Sequence, residues 1–171
     1  MKSFVIGLLC CACVLSLHVK GAEAEGYDID HIKIRNVTYT GRSIRNMPKV
    51  YSSSGKRVPS RAFSVIYDGN TVDAGVVSVT VQGRGKYKGT AEGRYRIKPR
   101  SIKQCKITGI RSYAYTGSFE YQNVNVSYKG NDVSYRLVYD YSSSVGRHRI
   151  KIKGLGNFTG TATRSYRIYD K

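Results

Sequence analysis

AGVVSVTVQGRGKYKGTAEGRYRI, residues 74–97, and VGRHRIKIKGLGNFTGTATRSYRI, residues 145–168, align without a gap at an offset of 71. In the first, Val77, Val79 and Val81 alternate with Val76, Ser78, Thr80 and Gln82; in the second, His148, Ile150 and Ile152 alternate with Arg147, Arg149, Lys151 and Lys153. A period of two over this length predicts half-buried strands, because successive side chains of a strand point to opposite faces. Self-similarity at a fixed offset predicts that the same unit occurs twice.

Upstream, Tyr39-Thr40-Gly41 matches Tyr115-Thr116-Gly117 at an offset of 76, so the first copy carries five extra residues, expected around Asn46 to Arg57. Further strands are expected at Ile32–Ile34, Phe63–Tyr67, Tyr95–Lys98, Val124–Tyr128, Tyr135–Tyr139 and Tyr166–Tyr169. Glycine-rich turns separate them, and no stretch has a helical period. Many short strands with regularly spaced turns predict an all-β sandwich. Lys98-Pro99-Arg100-Ser101 is the expected hinge between units at 25–100 and 101–171, because proline interrupts a strand ladder.

Tyr-Thr-Gly near the start of each copy, an aromatic strand ending in Tyr67 or Tyr139, Ala74-Gly75 or Val145-Gly146, and the Gly-x-Gly-[Lys/Asn]-[Tyr/Phe]-x-Gly-Thr run from Gly83 or Gly154 resemble the bacterial immunoglobulin-like repeats of surface and secreted proteins. The resemblance implies two tandem immunoglobulin-like β-sandwich modules that act as stalks or adhesive units. The chain departs from that pattern in its two copies, in lacking a wall-sorting tail after Tyr169-Asp170-Lys171, and in its charge.

At the other end, Met1-Lys2, an apolar run from Phe4 to Leu17 and the small-x-small triplet Ala22-Glu23-Ala24 have the form of a secretory signal peptide, residues 1–24. The run is too short for a membrane span, which takes about 20 residues of helix. Cys10, Cys11 and Cys13 lie inside it without the approach expected before a lipidated cysteine. Processing would leave Cys105 alone, either as a small buried hydrophobe or as a thiol that pairs between chains.

The whole chain carries 29 basic and 11 acidic side chains; without Lys2, Lys20 and Glu23 the balance is 27 to 10, or +17. Such an excess attracts anionic partners: polysaccharide, envelope polymer, host matrix or, nonspecifically, nucleic acid. Comparing the copies separates what the fold requires from what it does not. The row Val76, Ser78, Thr80, Gln82 becomes Arg147, Arg149, Lys151, Lys153, so the fold does not ask for these four cations. The first copy has Arg84, Lys86 and Lys88 at a turn and Arg94, Arg96 and Lys98 on its last strand, with tyrosines interleaved. These ten residues are the candidate anion-binding set.

Catalytic chemistry is not expected. His31 and His148 are the only histidines after the leader, His148 sits at an inward position, and no carboxylate pair recurs in both copies. No HExxH, CxxC or EF-hand pattern occurs, and no metal or cofactor is expected. Gly83–Gly89 has no helix after it and is read as a hairpin turn rather than a phosphate loop. Most tyrosines fall in strands, where the ring packs and the hydroxyl reaches water. In size, charge and export alone the chain resembles the basic antioxidant proteins secreted by skin bacteria, which makes a protective or cofactor-binding protein the alternative expectation. A structural subunit of a surface assembly is another. Asn36-Val37-Thr38, Asn125-Val126-Ser127 and Asn157-Phe158-Thr159 are glycan acceptors if the chain passes through a eukaryotic secretory route.

Overall fold

The computed structural model describes residues 27–170, which are all-β; the expected leader and its cysteines lie outside them. The first half runs β1 (Tyr27–Lys33), β2 (Val37–Thr38), β3 (Lys49–Ser52), β4 (Phe63–Asp68), β5 (Gly75–Gly83), β6 (Tyr87–Lys88) and β7 (Thr90–Lys98). The second runs β8 (Arg100–Ser101), β9 (Lys106–Thr108), β10 (Tyr113–Ala114), β11 (Asn125–Tyr128), β12 (Asn131–Asp132), β13 (Tyr135–Tyr139), β14 (Gly146–Gly154), β15 (Phe158–Thr159) and β16 (Thr161–Tyr169). Two short 3-10 turns, Ser60–Ala62 and Ile102–Gln104, complete the regular structure. No helix among the described residues is long and apolar enough to cross a membrane.

Each half is built on a four-stranded sheet, β2-β7-β5-β4 in the first and β10-β16-β14-β13 in the second. Their registers correspond: Val77 opposes Tyr95 as His148 opposes Tyr166, and Val81 opposes Ala91 as Ile152 opposes Ala162. The alternation dictates this register, since a slip by one residue would turn every valine to solvent. Val77, Val79, Val81, Tyr95 and Ile97 anchor one buried cluster, and Ile150, Ile152, Tyr166 and Ile168 anchor another. Each such side chain removed from water contributes roughly 1.5–3 kcal/mol. Small sheets close over them, β3-β1-β6 on the first and β12-β11-β9 with the β15-β8 pair on the second.

The expected turn at 83–89 recurs at 154–160, with Gly83 N–H donating to Gly89 O and Gly154 N–H to Gly160 O. A Cβ on Gly83 would stand 2.5 Å from Tyr87 O, and one on Gly154 would stand 2.9 Å from Phe158 C, so backbone contact excludes a side chain at either place.

Three expectations need correction. The strands read as Tyr95–Lys98 and Tyr166–Tyr169 begin earlier, at Thr90 and Thr161, because pairing resumes directly after the turn. Likewise β1 starts at Tyr27, its alternation hidden by a bulge between Ile29 and His31. The five extra residues are not one insertion near Asn46 to Arg57. Buried Val50 matches Val126 at 76 positions, Tyr67 matches Tyr139 at 72, and Val79 matches Ile150 at 71, so four lie between β3 and β4 and one lies in the β4–β5 connection. The Ser60–Ala62 turn falls within the longer β3–β4 connection.

Pro99 separates β7 from β8, yet side chains tie the halves together across it. Tyr39 packs against both buried clusters, its ring 5.4 Å from that of Phe158. Arg100 donates from Nε to Tyr39 O at 2.7 Å and lies over the Tyr128 ring, 5.3 Å from its centroid.

Candidate anion-binding surface

In β14 the side chains of His148, Ile150 and Ile152 are buried at 5%, 0% and 0% exposure, which drives Arg147, Arg149, Lys151 and Lys153 to the other face. Arg147, Arg149 and Lys151 are exposed and Lys153 is half-buried. The register brings two more cations onto this face, Arg136 of β13 opposite Lys153 and Arg167 of β16 opposite Arg147. Like charges directly opposite across a ladder destabilise it. None of these six side chains forms an ion pair with another described residue, and the nearby Asp140 carboxylate is paired with His148. A groove of ≈ 460 Å³ follows the β13 side of the row, lined by Val138, Tyr139, Asp140, Arg147, Arg149 and Lys151.

The corresponding face of the first half has another character. Val76, Ser78 and Gln82 are exposed there, while Asp68 stands opposite Ser78 and Glu92 opposite Thr80. Arg94, Arg96 and Lys98 are exposed on β7 as expected, but acids share their sheet. Arg84, Lys86 and Lys88 form a separate group at the 83–89 turn, where Lys86 Nζ lies 5.4 Å from the Tyr27 ring centroid and 5.6 Å from that of Tyr87. Thr90 and Glu92 separate it along β7 from Arg94. The ten candidate residues are thus three clusters, and only the β14 row is extended by further cations.

Interleaving of tyrosine with cation does not extend to these surfaces. Tyr95, between Arg94 and Arg96, is 1% exposed, and Tyr166, next to Arg167, is 4% exposed. The period of two that turns the cations out turns these rings in. Tyr87, in the turn beside Lys86, and Tyr169, exposed on β16 two residues beyond Arg167, are exceptions.

The inward histidine has a structural setting. A carbonyl only accepts, so His148 Nε2–H donates to Ser144 O at 2.7 Å, while Nδ1 lies 3.3 Å from Asp140 Oδ2. Cys105 is buried in the second cluster at 7% exposure, and burial pushes its thiol pKa up. Of the three glycan triplets, Asn157 is occupied: its side chain bonds Ala74 N–H and Asp73. Asn36 Oδ1 accepts from Arg96 N–H at 2.8 Å. Among the described residues no three His, Cys, Asp or Glu side chains gather as a metal site would need.

Neither protein-family models nor curated proteins match this chain.

Proposed function

We propose that the chain is a secreted or surface-associated binding protein of two tandem immunoglobulin-like modules, and that it engages an anionic polymer of a matrix or envelope through the outer face of the second module's larger sheet. The observation that carries this reading is the row Arg147, Arg149, Lys151, Lys153, flanked by Arg136 and Arg167 and free of carboxylate ion pairs among the described residues. Alternate residues of a strand lie ~6.8 Å apart. A line of charge at that spacing repels itself until an extended polyanion runs along it. Solubility would be served by cations dispersed among acids, as on the first half.

The test replaces Arg147, Arg149, Lys151 and Lys153 with the Val, Ser, Thr and Gln of the first copy. Those residues already occupy the equivalent register there, so the fold is expected to survive. Each cation that neutralises a dense polyanion contributes about −0.9 to the slope of log affinity against log salt, so four lost contacts flatten it by roughly three to four units. A folded variant whose salt dependence on heparin matches the parent's would remove the row as the site.

A further inference from the structure

The first half carries a groove of its own on the outer face of the β3-β1-β6 sheet. Ile32 and Val50 pack against the buried cluster, so His31 and Lys33 of β1 and Lys49 and Tyr51 of β3 stand on the other face. Lys33 and Lys49 are directly opposite across the ladder, a like-charge pair that weakens it. Arg35, just beyond β1, brings a third cation to a groove of ≈ 360 Å³ whose lining includes Lys33, Arg35, Asn46, Met47, Lys49 and Tyr51. None of the three cations forms an ion pair with another described residue. Apolar surface stands among them: Met47 is 59% exposed, and the Tyr51 ring is half-buried. His31 stacks on that ring at 4.9 Å and 9°, and Lys33 Nζ lies 5.3 Å from its centroid.

A counterpart of this groove, ≈ 370 Å³, lies in the second half between Arg111 and Gln122, each 76 positions after Arg35 and Asn46. An amide side chain braces both: Asn46 Nδ2 donates to Arg35 O at 2.6 Å, and Gln122 Oε1 accepts the Arg111 N–H at 2.7 Å. The repeated unit therefore keeps the groove, the arginine and the brace. It does not ask for the rest. Lys33 and Lys49 become Thr108 and Asn125, which oppose each other in β9 and β11, and Met47 and Tyr51 become Asn123 and Ser127. Four side chains that the fold does not require converge on one groove.

We propose that this groove is a site for a small organic anion, with one acid group held by Lys33, Arg35 and Lys49 and an apolar body lying against Met47 and Tyr51. The site is apart from the β14 row and does not rest on it.

Three features select such a ligand over a polymer. Cations that follow one another along a strand stand ~6.8 Å apart and suit a string of charges. Lys33 and Lys49 instead face each other across a ladder, where directly opposed Cβ atoms are ~4.5–5.5 Å apart, so their ammonium groups close on a single acid group. A polyanion continuing along β1 would meet Asp30 and Asp28, both exposed beyond His31, with Asp30 Oδ2 2.7 Å from His31 Nδ1. The volume is at the lower end of the ~300–1,000 Å³ usual for small-molecule sites, and the Met47 thioether adapts its shape to an apolar body.

The experiment titrates the purified protein with naphthalene-2-sulfonate, with octyl sulfate below its micelle concentration and with inorganic sulfate, by calorimetry at about 0.15 M sodium chloride. The tighter of the two organic anions is expected to bind at least about tenfold better than inorganic sulfate. Lys33→Thr/Lys49→Asn should weaken it by about tenfold. Met47→Asn/Tyr51→Ser should weaken it by about fivefold and leave inorganic sulfate unchanged. Each replacement installs the residue that the second half carries at the matching place, so the fold is expected to survive. Tighter naphthalene-2-sulfonate assigns the body to an aryl compound, and tighter octyl sulfate assigns it to an acyl chain. Inorganic sulfate that binds as well as both, or organic affinities unmoved in either variant, overturns the proposal. An equal loss on replacing Arg147, Arg149, Lys151 and Lys153 also overturns it, because net charge would then be the cause. Should a variant not fold, NMR contacts from the naphthalene protons or the octyl chain to the Met47 methyl group of the parent decide, and their absence is negative.

Discussion

Asn157 donates from Nδ2 to Asp73 Oδ1 at 2.7 Å, joining two side chains 84 residues apart on opposite sides of Pro99. The same amide accepts the Ala74 N–H at 2.6 Å, so one side chain serves both a carboxylate and a backbone donor of the first half. Asn157→Ala is expected to cost about 1–2 kcal/mol, less than the sum of one ordinary and one charge-assisted bond because Asp73 is exposed to water. Calorimetry should show the loss as a separation of the two halves' unfolding transitions. A single sharp transition in the variant, unmoved from the parent, would mean that the halves are not coupled through this contact.

The second prediction concerns which cations share the load. With Arg136 and Arg167 neutralised in addition to the β14 row, the salt slope should flatten by nearly two further units, at about 0.9 per contact. Neutralising Arg84, Lys86 and Lys88 should change it by less than one unit on the same scale, because that group sits apart at the 83–89 turn. Equal effects from both sets would point to diffuse attraction by net charge.

Alkaline pH should unfold the second half through Tyr166. Burial, with smaller contributions from Tyr113 and Asp140, raises its phenol to about 12 from the usual 10.0. The sign follows from proton counts: between these values the unfolded chain has released the proton and the folded chain has kept it. Stability is therefore complete below pH 10 and falls as pH rises towards 12, by up to ~1.4 kcal/mol per pH unit for one such group. Tyr139, also raised by burial, adds to the same loss. The Tyr166 hydroxyl is buried without a protein hydrogen-bond partner, so Tyr166→Phe should raise stability at neutral pH by up to ~1–3 kcal/mol and move the alkaline midpoint upward. Denaturant titrations at pH 7 and pH 11 measure both, and a destabilised variant would contradict the assignment.

Cys105 lies in the second buried cluster, and its thiol is held protonated by desolvation, opposed by the nearby Arg100 charge. In the native protein it should resist maleimide until the second half opens. Cys105→Ala should fold at a cost of about 1 kcal/mol, and Cys105→Ser should cost ~1–3 kcal/mol if the hydroxyl finds no partner. Rapid native labelling would show that the thiol is accessible.

The parts legible in the sequence are those where one strand carries its own signal. Val77, Val79 and Val81 declare the inward face of β5, and the same rule places His148 inside and Arg149 outside. What was missed needs a partner strand to be seen. Arg136 and Arg167 join the row only through register with β14, and neither has a cation two residues away to mark it. Phe119, Tyr121 and Tyr141 lie in irregular connections and converge on Tyr139 by tertiary packing, which no period encodes. The interleaved tyrosines misled for the opposite reason, since adjacency in a strand means opposite faces.

The β4–β5 connection, one residue longer in the first half, meets different partners in the two halves. In the first, Asp73 and Ala74 reach forward to Asn157. In the second, the matching Ser144 turns its carbonyl onto His148, a residue of its own half. A head-to-tail contact that recurs on every unit has no reason to stop and builds filaments. Here the forward-reaching loop belongs to one unit only, and its counterpart is tethered inward. Two halves with identical loops would have carried two identical grips and built an open-ended lattice; the difference between these loops gives the pair a direction and confines that joint to a single use.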